Sequence, residues 1–364
     1  MTTTATLVFL AVVGARFLVP LLIPRYPLPA VVAALVLDAV DQTVFQAFGF
    51  DPPGYQGYDK AMDVYYLAIA YLATMRNWTS RPAVQVAQFL YFYRLVGVVA
   101  FELTESRALL MVFPNTFEYF FIAYEAYRLF WNPARISLRG WITTAAVIWV
   151  FVKLPQEWWI HVAQLDFTDT VEEVWWFGPA CAAAVVAAGL VYWFAIRPRQ
   201  PAPDWRWHVA ADPLPADAAT VASRNRWVAE HGRLWSIGTL EKVALVSLIW
   251  IIYAQILPSA TFSNVQRFVI TSLFVVANAA ISLWSARSSR SVESAPVAFA
   301  VRVVMNAALV ALSDWLLPFS GGDLNPGVAL FFILLLSLIT LLDDRYRPIH
   351  EIRVHGSPAQ KVAG

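Results

Sequence analysis

Long apolar runs separated by short polar stretches make up most of this 364-residue chain. The runs are roughly 17–25 residues long, which is the length that an α-helix needs to cross the hydrocarbon core of a bilayer. Backbone groups in lipid must be hydrogen-bonded within their own segment, so the runs predict helices. The eleven predicted spans are 5–24, 29–48, 60–77, 83–102, 108–130, 139–155, 173–196, 239–258, 263–286, 295–317 and 326–343.

Basic residues are shared unevenly between alternate loops. If every second loop is cytoplasmic, starting after the first span, that side holds nineteen Arg and Lys residues and the other side holds four. An excess of basic residues marks cytoplasmic loops, so we expect the N-terminus outside and the C-terminus in the cytoplasm. The first run has no basic leader and contains Arg16, which favours a retained helix over a cleaved signal.

Composition also favours an integral membrane protein. The chain is 59% hydrophobic, its mean hydropathy is +0.57 and only 14% of its residues are charged, against about 25% in soluble domains. The net charge of +1 excludes a bulk attraction to nucleic acid. The single cysteine, Cys181, allows no internal disulfide. Arginine outnumbers lysine, as in GC-rich bacterial genomes, so a bacterial cytoplasmic membrane is the predicted location and membrane lipids are predicted partners.

The spans and polar stretches divide the predicted all-α bundle into five parts. Residues 1–131 form an N-terminal five-helix group with mid-span charges, and 132–196 add two helices joined by an acidic, Trp-rich outer loop. Residues 197–238 are a cytoplasmic linker whose second half predicts a basic amphipathic helix. Residues 239–345 form a C-terminal four-helix group, and 346–364 are a cytoplasmic tail. No internal repeat is present, and most prolines lie at span ends or in loops, which counts against a transporter built from broken helices.

Charged residues inside the first five spans are the candidate functional residues. Asp38 and Asp41 lie near the middle of the second span, three residues apart and therefore on one helix face. Each charge at the bilayer centre costs about 2.5–3.5 kcal/mol on insertion scales, so opposite charges are expected to converge. The predicted binding or proton/ion site consists of Arg16, Asp38, Asp41, Asp63, Arg94, Glu118 and Glu125.

The charge balance of this set predicts what it binds. We expect Arg16 and Arg94 to pair with Asp38, Asp41 and Glu118, which leaves one carboxylate for a proton, a cation or a basic ligand group. The leading prediction is a multi-pass protein that binds or translocates a small polar or ionic solute, with proton coupling. The alternative interpretation of the same residues is a structural polar network that fixes helix packing.

Two other functions stay open. One is a membrane enzyme acting on a lipid-linked or isoprenoid substrate, because aspartates such as Asp59 and Asp63 can hold Mg²⁺ against a phosphate. The other is a non-catalytic scaffold or accessory subunit with an unidentified protein partner. The sequence has no nucleotide-binding, serine-hydrolase or zinc motif, and none of its five histidines is central in a span. No cofactor and no metal site is therefore predicted.

Overall fold

The computed structural model describes residues 3–49, 55–163, 165, 167–205, 207–256, 272, 275–280, 283, 295–316 and 326–355. Within these ranges the chain is helical and contains no strand, which confirms the predicted all-α class. The helices are α1 (Thr3–Leu18), α2 (Pro27–Ala47), α3 (Tyr55–Asn77), α4 (Arg81–Thr104), α5 (Ala108–Val112), α6 (Thr116–Arg128), α7 (Leu138–Ile148), α8 (Leu154–Glu157), α9 (Phe167–Glu173), α10 (Phe177–Val191), α11 (Val221–His231), α12 (Ile237–Ile256), α13 (Ala295–Leu316) and α14 (Pro326–His355).

Five helical stretches of the described part are long and apolar enough to cross a membrane. They are Thr3–Leu22, Pro27–Ala47, Arg81–Thr104, Leu138–Ile160 and Phe177–Arg199. These stretches overlap five of the predicted spans. The predicted span 263–286 lies mostly outside the described residues, as does the tail after residue 355.

Helix α3 is the central helix of the bundle. Every side chain from Ala61 to Met75 except Asp63 is buried, because α3 packs against α2, α4, α12 and α14. A helix enclosed by other helices can carry polar side chains at a lower cost than a helix that faces lipid. The charged residues Asp59, Lys60 and Asp63 lie in the first half of α3, where they are partly exposed and each is in an ion pair.

The fifth predicted span, 108–130, is wrong as a continuous helix. The chain leaves the helical conformation after α5 ends at Val112 and re-enters it where α6 begins at Thr116. Pro114 explains the break, since proline has no N–H to donate and disfavours helical backbone at the preceding residue. Phe113 accordingly has φ −113° and ψ 62°. The expectation of continuous spans therefore fails at this position.

A helix forms in the predicted linker and packs against α14. This helix is α11, and a reciprocal pair of hydrogen bonds fixes its start. The Ser223 N–H donates to the Thr220 hydroxyl at 3.0 Å, and the Thr220 N–H donates to the Ser223 hydroxyl at 3.2 Å. Such a capping box satisfies two backbone donors that the first helical turn leaves unpaired. Helix α11 thus has a defined start and packs against α14.

Candidate functional site: an arginine surrounded by four aspartates

Arg16 of α1 lies between four aspartates from two other helices. Its Nη1 donates to Asp41 and, at 2.9 Å, to Asp59 Oδ1. Its Nη2 donates to Asp38 and lies 3.4 Å from Asp63 Oδ1. The Arg16 side chain is only 4% exposed. These five residues, called the Arg16 cluster below, join α1, α2 and α3 at one guanidinium.

Helix periodicity explains why the four carboxylates meet. Asp38 and Asp41 are three residues apart on α2, and Asp59 and Asp63 are four residues apart on α3. Both spacings place the two side chains on one face of an α-helix. Residues 19–26 separate α1 from α2, and the first four of them, Val19–Leu22, form a 3-10 helix. So short a connection makes the two helices antiparallel neighbours.

The Arg16 cluster has a buried side and an open side. The Asp41 side chain is 0% exposed and accepts a hydrogen bond from the Tyr55 hydroxyl. The side chains of Asp38, Asp59 and Asp63 are 29%, 35% and 39% exposed. Arg16 and Asp41 therefore form the base of the site, and the other three carboxylates line the part that a ligand can reach.

Formal charge within the Arg16 cluster is unbalanced. One guanidinium faces four carboxylates, so three negative charges are in excess when all four are ionised. Lys60 lies next to Asp59 in sequence, but its ammonium is ion-paired with Glu102 of α4 at 3.0 Å. The Tyr58 ring lies 5.4 Å from the Arg16 guanidinium carbon, a cation–π contact that adds no positive charge. A proton or a bound cation is therefore needed to lower the repulsion.

Three of the carboxylates are placed so that one ion would contact all of them. One oxygen each of Asp38, Asp59 and Asp63 lies within 4.8 Å of the others. Hard cations such as Mg²⁺ and Ca²⁺ bind oxygen ligands at about 2.0–2.6 Å, so oxygens this close together could serve as ligands of one cation after small side-chain adjustments. The sequence analysis predicted no metal site, whereas the arrangement of these three carboxylates could hold a metal ion.

Glu118 forms a second carboxylate site beside the break between α5 and α6. It accepts hydrogen bonds from the Tyr66 hydroxyl and, at 2.8 Å, from Asn115 Nδ2. The residue is 6% exposed. Tyr66 follows Asp63 by three residues on α3, so the two side chains lie on the same face of that helix. The Glu118 site therefore adjoins the Arg16 cluster through α3.

Arg94 binds backbone at the break and forms no ion pair with a described carboxylate. Its Nη1 donates to the Phe113 carbonyl at 2.9 Å, and the neighbouring Tyr93 hydroxyl donates to the Val112 carbonyl at 3.0 Å. Among the described residues, the predicted direct pairing of Arg94 with a mid-span acid is thus replaced by this backbone contact. Pro114 frees backbone carbonyls that need hydrogen-bond donors inside a membrane, and these compete with carboxylates for an arginine.

Glu125 belongs to a different cluster, at the other end of α6. It is fully buried and accepts hydrogen bonds from Trp78 Nε1 and Arg128 Nε, both at 2.8 Å. Arg128 also donates to the Ala210 carbonyl at 3.2 Å and lies 3.4 Å from Asp212. These contacts fasten the segment after α10 to the bundle, and Glu125 does not contact the Arg16 cluster.

Four residues complete the site although they were outside the predicted set: Tyr55, Asp59, Tyr66 and Asn115. Asp59 carried a usable signal, because its spacing of four from Asp63 already placed both carboxylates on one helix face. Asn115 carried one too, because it lies three residues before Glu118, and Tyr66 is one of the tyrosines of the third predicted span whose hydroxyls were candidates for the same cavity. Tyr55 carried none, since its partner Asp41 lies on another helix.

The described part of the chain is all-helical, with five helical stretches long and apolar enough to cross a membrane and a charged cluster built from three helices. Comparisons with protein-family models, with curated proteins and with solved structures find no match. A function for the protein therefore has to be inferred from the chemistry of the Arg16 cluster.

Proposed function

We propose that the protein binds a small cation or cationic solute at the Arg16 cluster and carries it across the membrane, coupled to protons. It would be a polytopic protein of a bacterial cytoplasmic membrane, with about eleven spans, its N-terminus outside and its C-terminus in the cytoplasm. The observation that supports the proposal is the convergence of four carboxylates on one buried guanidinium, with three of them partly exposed. The five apolar helices are compatible with this setting.

The charge of the site favours a cationic ligand over an anionic or neutral one. Carboxylates that share a site of low dielectric constant repel one another, so a positive charge placed between them is stabilised. Arg16 supplies one fixed positive charge and holds Asp41 and the base of the site in place. The remaining negative charge attracts a cation, while the Arg16 charge keeps that attraction moderate. Moderate attraction suits transport, because a transported ion must also leave.

The helix break at Pro114 favours translocation over static binding. Transporter sites are commonly built where a discontinuous helix ends near the substrate. Here Glu118 lies in the first turn of α6 and accepts a hydrogen bond from Tyr66. A proton that leaves the Arg16 cluster near Asp63 would reach Glu118 through the Tyr66 hydroxyl, which supplies the proposed coupling.

Cation flux into proteoliposomes tests the proposal. The purified protein is reconstituted, gradients of Na⁺, K⁺, Mg²⁺ or Mn²⁺ are applied one at a time, and internal pH and cation content are followed. Loss of a charge-assisted contact costs about 1.5–3 kcal/mol, so Asp38→Asn and Asp63→Asn should each lower flux by roughly tenfold or more. The matched control is Glu102→Gln, which removes the carboxylate of α4 that pairs with Lys60 of α3. Its flux should stay near that of the wild type.

Two results would contradict this proposal. In one, none of the four cations crosses faster than in protein-free liposomes. In the other, Glu102→Gln lowers flux as much as Asp38→Asn does, so that general negative charge, and not the Arg16 cluster, determines the rate.

The placement of three aspartates around one point favours a single alternative, a membrane enzyme acting on a lipid-linked or isoprenoid phosphate. Mg²⁺ held by Asp38, Asp59 and Asp63 would bridge to phosphate oxygens of the substrate. Turnover of an isoprenoid diphosphate that requires Mg²⁺, stops with EDTA and is lost in Asp63→Asn would replace translocation by catalysis. Cation flux without such turnover would retain translocation.

A further inference from the structure

A second polar cavity lies away from the Arg16 cluster, between α11 and the helices α12, α13 and α14. Its volume is about 330 Å³, at the lower end of the roughly 300–1,000 Å³ that small-molecule sites occupy. Six basic side chains line it: Arg224, Arg233, Lys242, Arg302, Arg345 and Arg347. Only two acidic side chains, Asp344 and Glu351, are among its described lining residues.

The floor of this cavity is an ion-pair network in which the charges cancel. Lys242 pairs with Asp343 at 2.8 Å and with Asp344. Arg347 pairs with Asp343 at 2.6 Å and with Glu241 at 2.9 Å, and Arg302 pairs with Asp344. Three cations thus face three carboxylates, and the floor has no charge left over for a ligand.

Gly238 leaves space for the Arg347 side chain at the floor of the cavity. A Cβ atom at this position would lie 2.8 Å from Arg347 Cδ, closer than van der Waals contact allows. The glycine therefore lets the Arg347 side chain lie flat against the start of α12, within reach of Glu241. The floor is in this way held by packing as well as by ion pairs.

The wall contributed by α11 and the segment after it carries the guanidiniums of Arg224 and Arg233. Glu351, the lining carboxylate outside the floor network, accepts a hydrogen bond from Trp227 Nε1 of α11 at 3.4 Å. Arg224 donates to the Ala218 carbonyl at 2.8 Å and forms no ion pair with any described carboxylate. Burial and the positive charges of Arg345 and Arg76 lower the pKa of Arg224. Arg233 likewise has no acidic partner in the described part of the chain. An anion placed here would relieve the repulsion among these guanidiniums.

Asn225 adds an unused donor to the same wall. Its Nδ2 atom is buried and has no hydrogen-bond partner among the described residues, and the residue lines the cavity. A buried donor without a partner costs about 1–3 kcal/mol, so an acceptor placed in the cavity beside Asn225 would be stabilised by this donor. Two guanidiniums and one amide make a donor set suited to the several oxygens of a phosphate.

We propose that this cavity binds a phosphate-bearing anion, with the phosphate at Arg224, Asn225 and Arg233. The apolar side chains of Val301 and Met305 line the cavity as well and accommodate the organic part of the ligand. Two sources offer this chemistry: the headgroup of an anionic lipid and a soluble phosphate ester. The site is distinct from the Arg16 cluster and takes a ligand of opposite charge.

Binding of two phosphate probes by the full-length protein in detergent distinguishes the sources. The first probe is inorganic phosphate, titrated calorimetrically. The second is phosphatidylglycerol, whose retention after exchange into phosphatidylcholine nanodiscs is measured by mass spectrometry. Loss of two charge-assisted contacts should weaken binding of the active probe by roughly tenfold or more in Arg224→Gln/Arg233→Gln. The matched control is Arg226→Gln, since Arg226 is exposed on the same helix and does not line the cavity.

Each outcome decides the proposal. Retention of phosphatidylglycerol that the double substitution abolishes assigns a lipid headgroup, and phosphate binding that it abolishes assigns a soluble ligand. Binding of neither probe overturns the proposal, as does an equal loss in Arg226→Gln. If the double variant fails to fold, Asn225→Leu takes its place, because it removes only the unused donor and should weaken the same probe.

Discussion

Removing Arg16 should destabilise the protein far more than removing any one aspartate around it. In Arg16→Gln, Asp41 keeps a side chain that is 0% exposed but loses its counter-charge, and the other three carboxylates lose their only positive contact within the cluster. Breaking a buried ion pair from one side costs about 3–5 kcal/mol, because an uncompensated charge stays behind. The free energy of unfolding should therefore fall by roughly this amount.

Replacing an aspartate of the cluster, and not the arginine, should lower the free energy of unfolding only slightly. In Asp41→Asn, Arg16 still contacts Asp38 and Asp59, so no buried charge is left without a partner. The excess of negative charge also falls by one, which offsets part of the lost hydrogen bond. The expected change is below about 1 kcal/mol. Combining Asp41→Asn with Arg16→Gln should recover part of the loss, since the neutralised group is the one buried most deeply.

Reversible unfolding by SDS in mixed micelles measures these differences. The control is Arg226→Gln, which removes one arginine from an exposed position on α11 and should change the free energy of unfolding by less than about 0.5 kcal/mol. If Asp41→Asn costs as much as Arg16→Gln, or if the double variant is no more stable than Arg16→Gln alone, the asymmetric charge balance of the cluster is refuted.

Two further predictions concern the helix break and the end of α14. Gly97→Ala should destabilise the protein by about 1–3 kcal/mol in the same unfolding assay, because a Cβ there would lie 2.0 Å from Phe113 Cβ; Gly14→Ala, with nothing within 4 Å, is its control. Burial and the positive charge of Arg347 lower the pKa of His350 from 6.5 to about 4. Between these pH values the unfolded chain binds more protons, so stability should fall on acidification by up to about 3 kcal/mol, and His350→Gln should remove that part of the pH dependence.

Apolar periodicity located most of the helices near the Arg16 cluster. The predicted spans 29–48 and 83–102 correspond to α2 and α4 within two residues at each end. The convergence of Arg16 with Asp38 and Asp41 also followed from the cost of isolated charges in a bilayer. Both results depend on local rules of spacing and charge, which the sequence contains in full. The number of spans and the orientation of the termini stay predictions.

The contacts that could not be predicted depend on backbone that only the folded chain exposes. Arg94 is a charged residue near the middle of a predicted span, like Arg16. It nevertheless binds the Phe113 carbonyl, which the helix break at Pro114 leaves free. Glu125 accepts hydrogen bonds from Trp78 and from Arg128, and Arg128 in turn pairs with Asp212 in the irregular segment after α10. Neither partner choice follows from hydropathy or from helical spacing, because each requires knowing where irregular backbone lies.

Helix α3 brings the two proposed sites into mechanical contact. Asp63 lies in the Arg16 cluster, and Tyr71, two turns later, donates to Glu241, which pairs with Arg347 at the floor of the phosphate cavity. Eight residues of α-helix separate the two positions, a distance of about 12 Å. Because other helices enclose α3 over most of this length, close packing resists local bending of the helix. A cation that displaces α3 would therefore shift the Glu241–Arg347 pair, whereas a cation that only replaces a proton would leave the cavity unchanged.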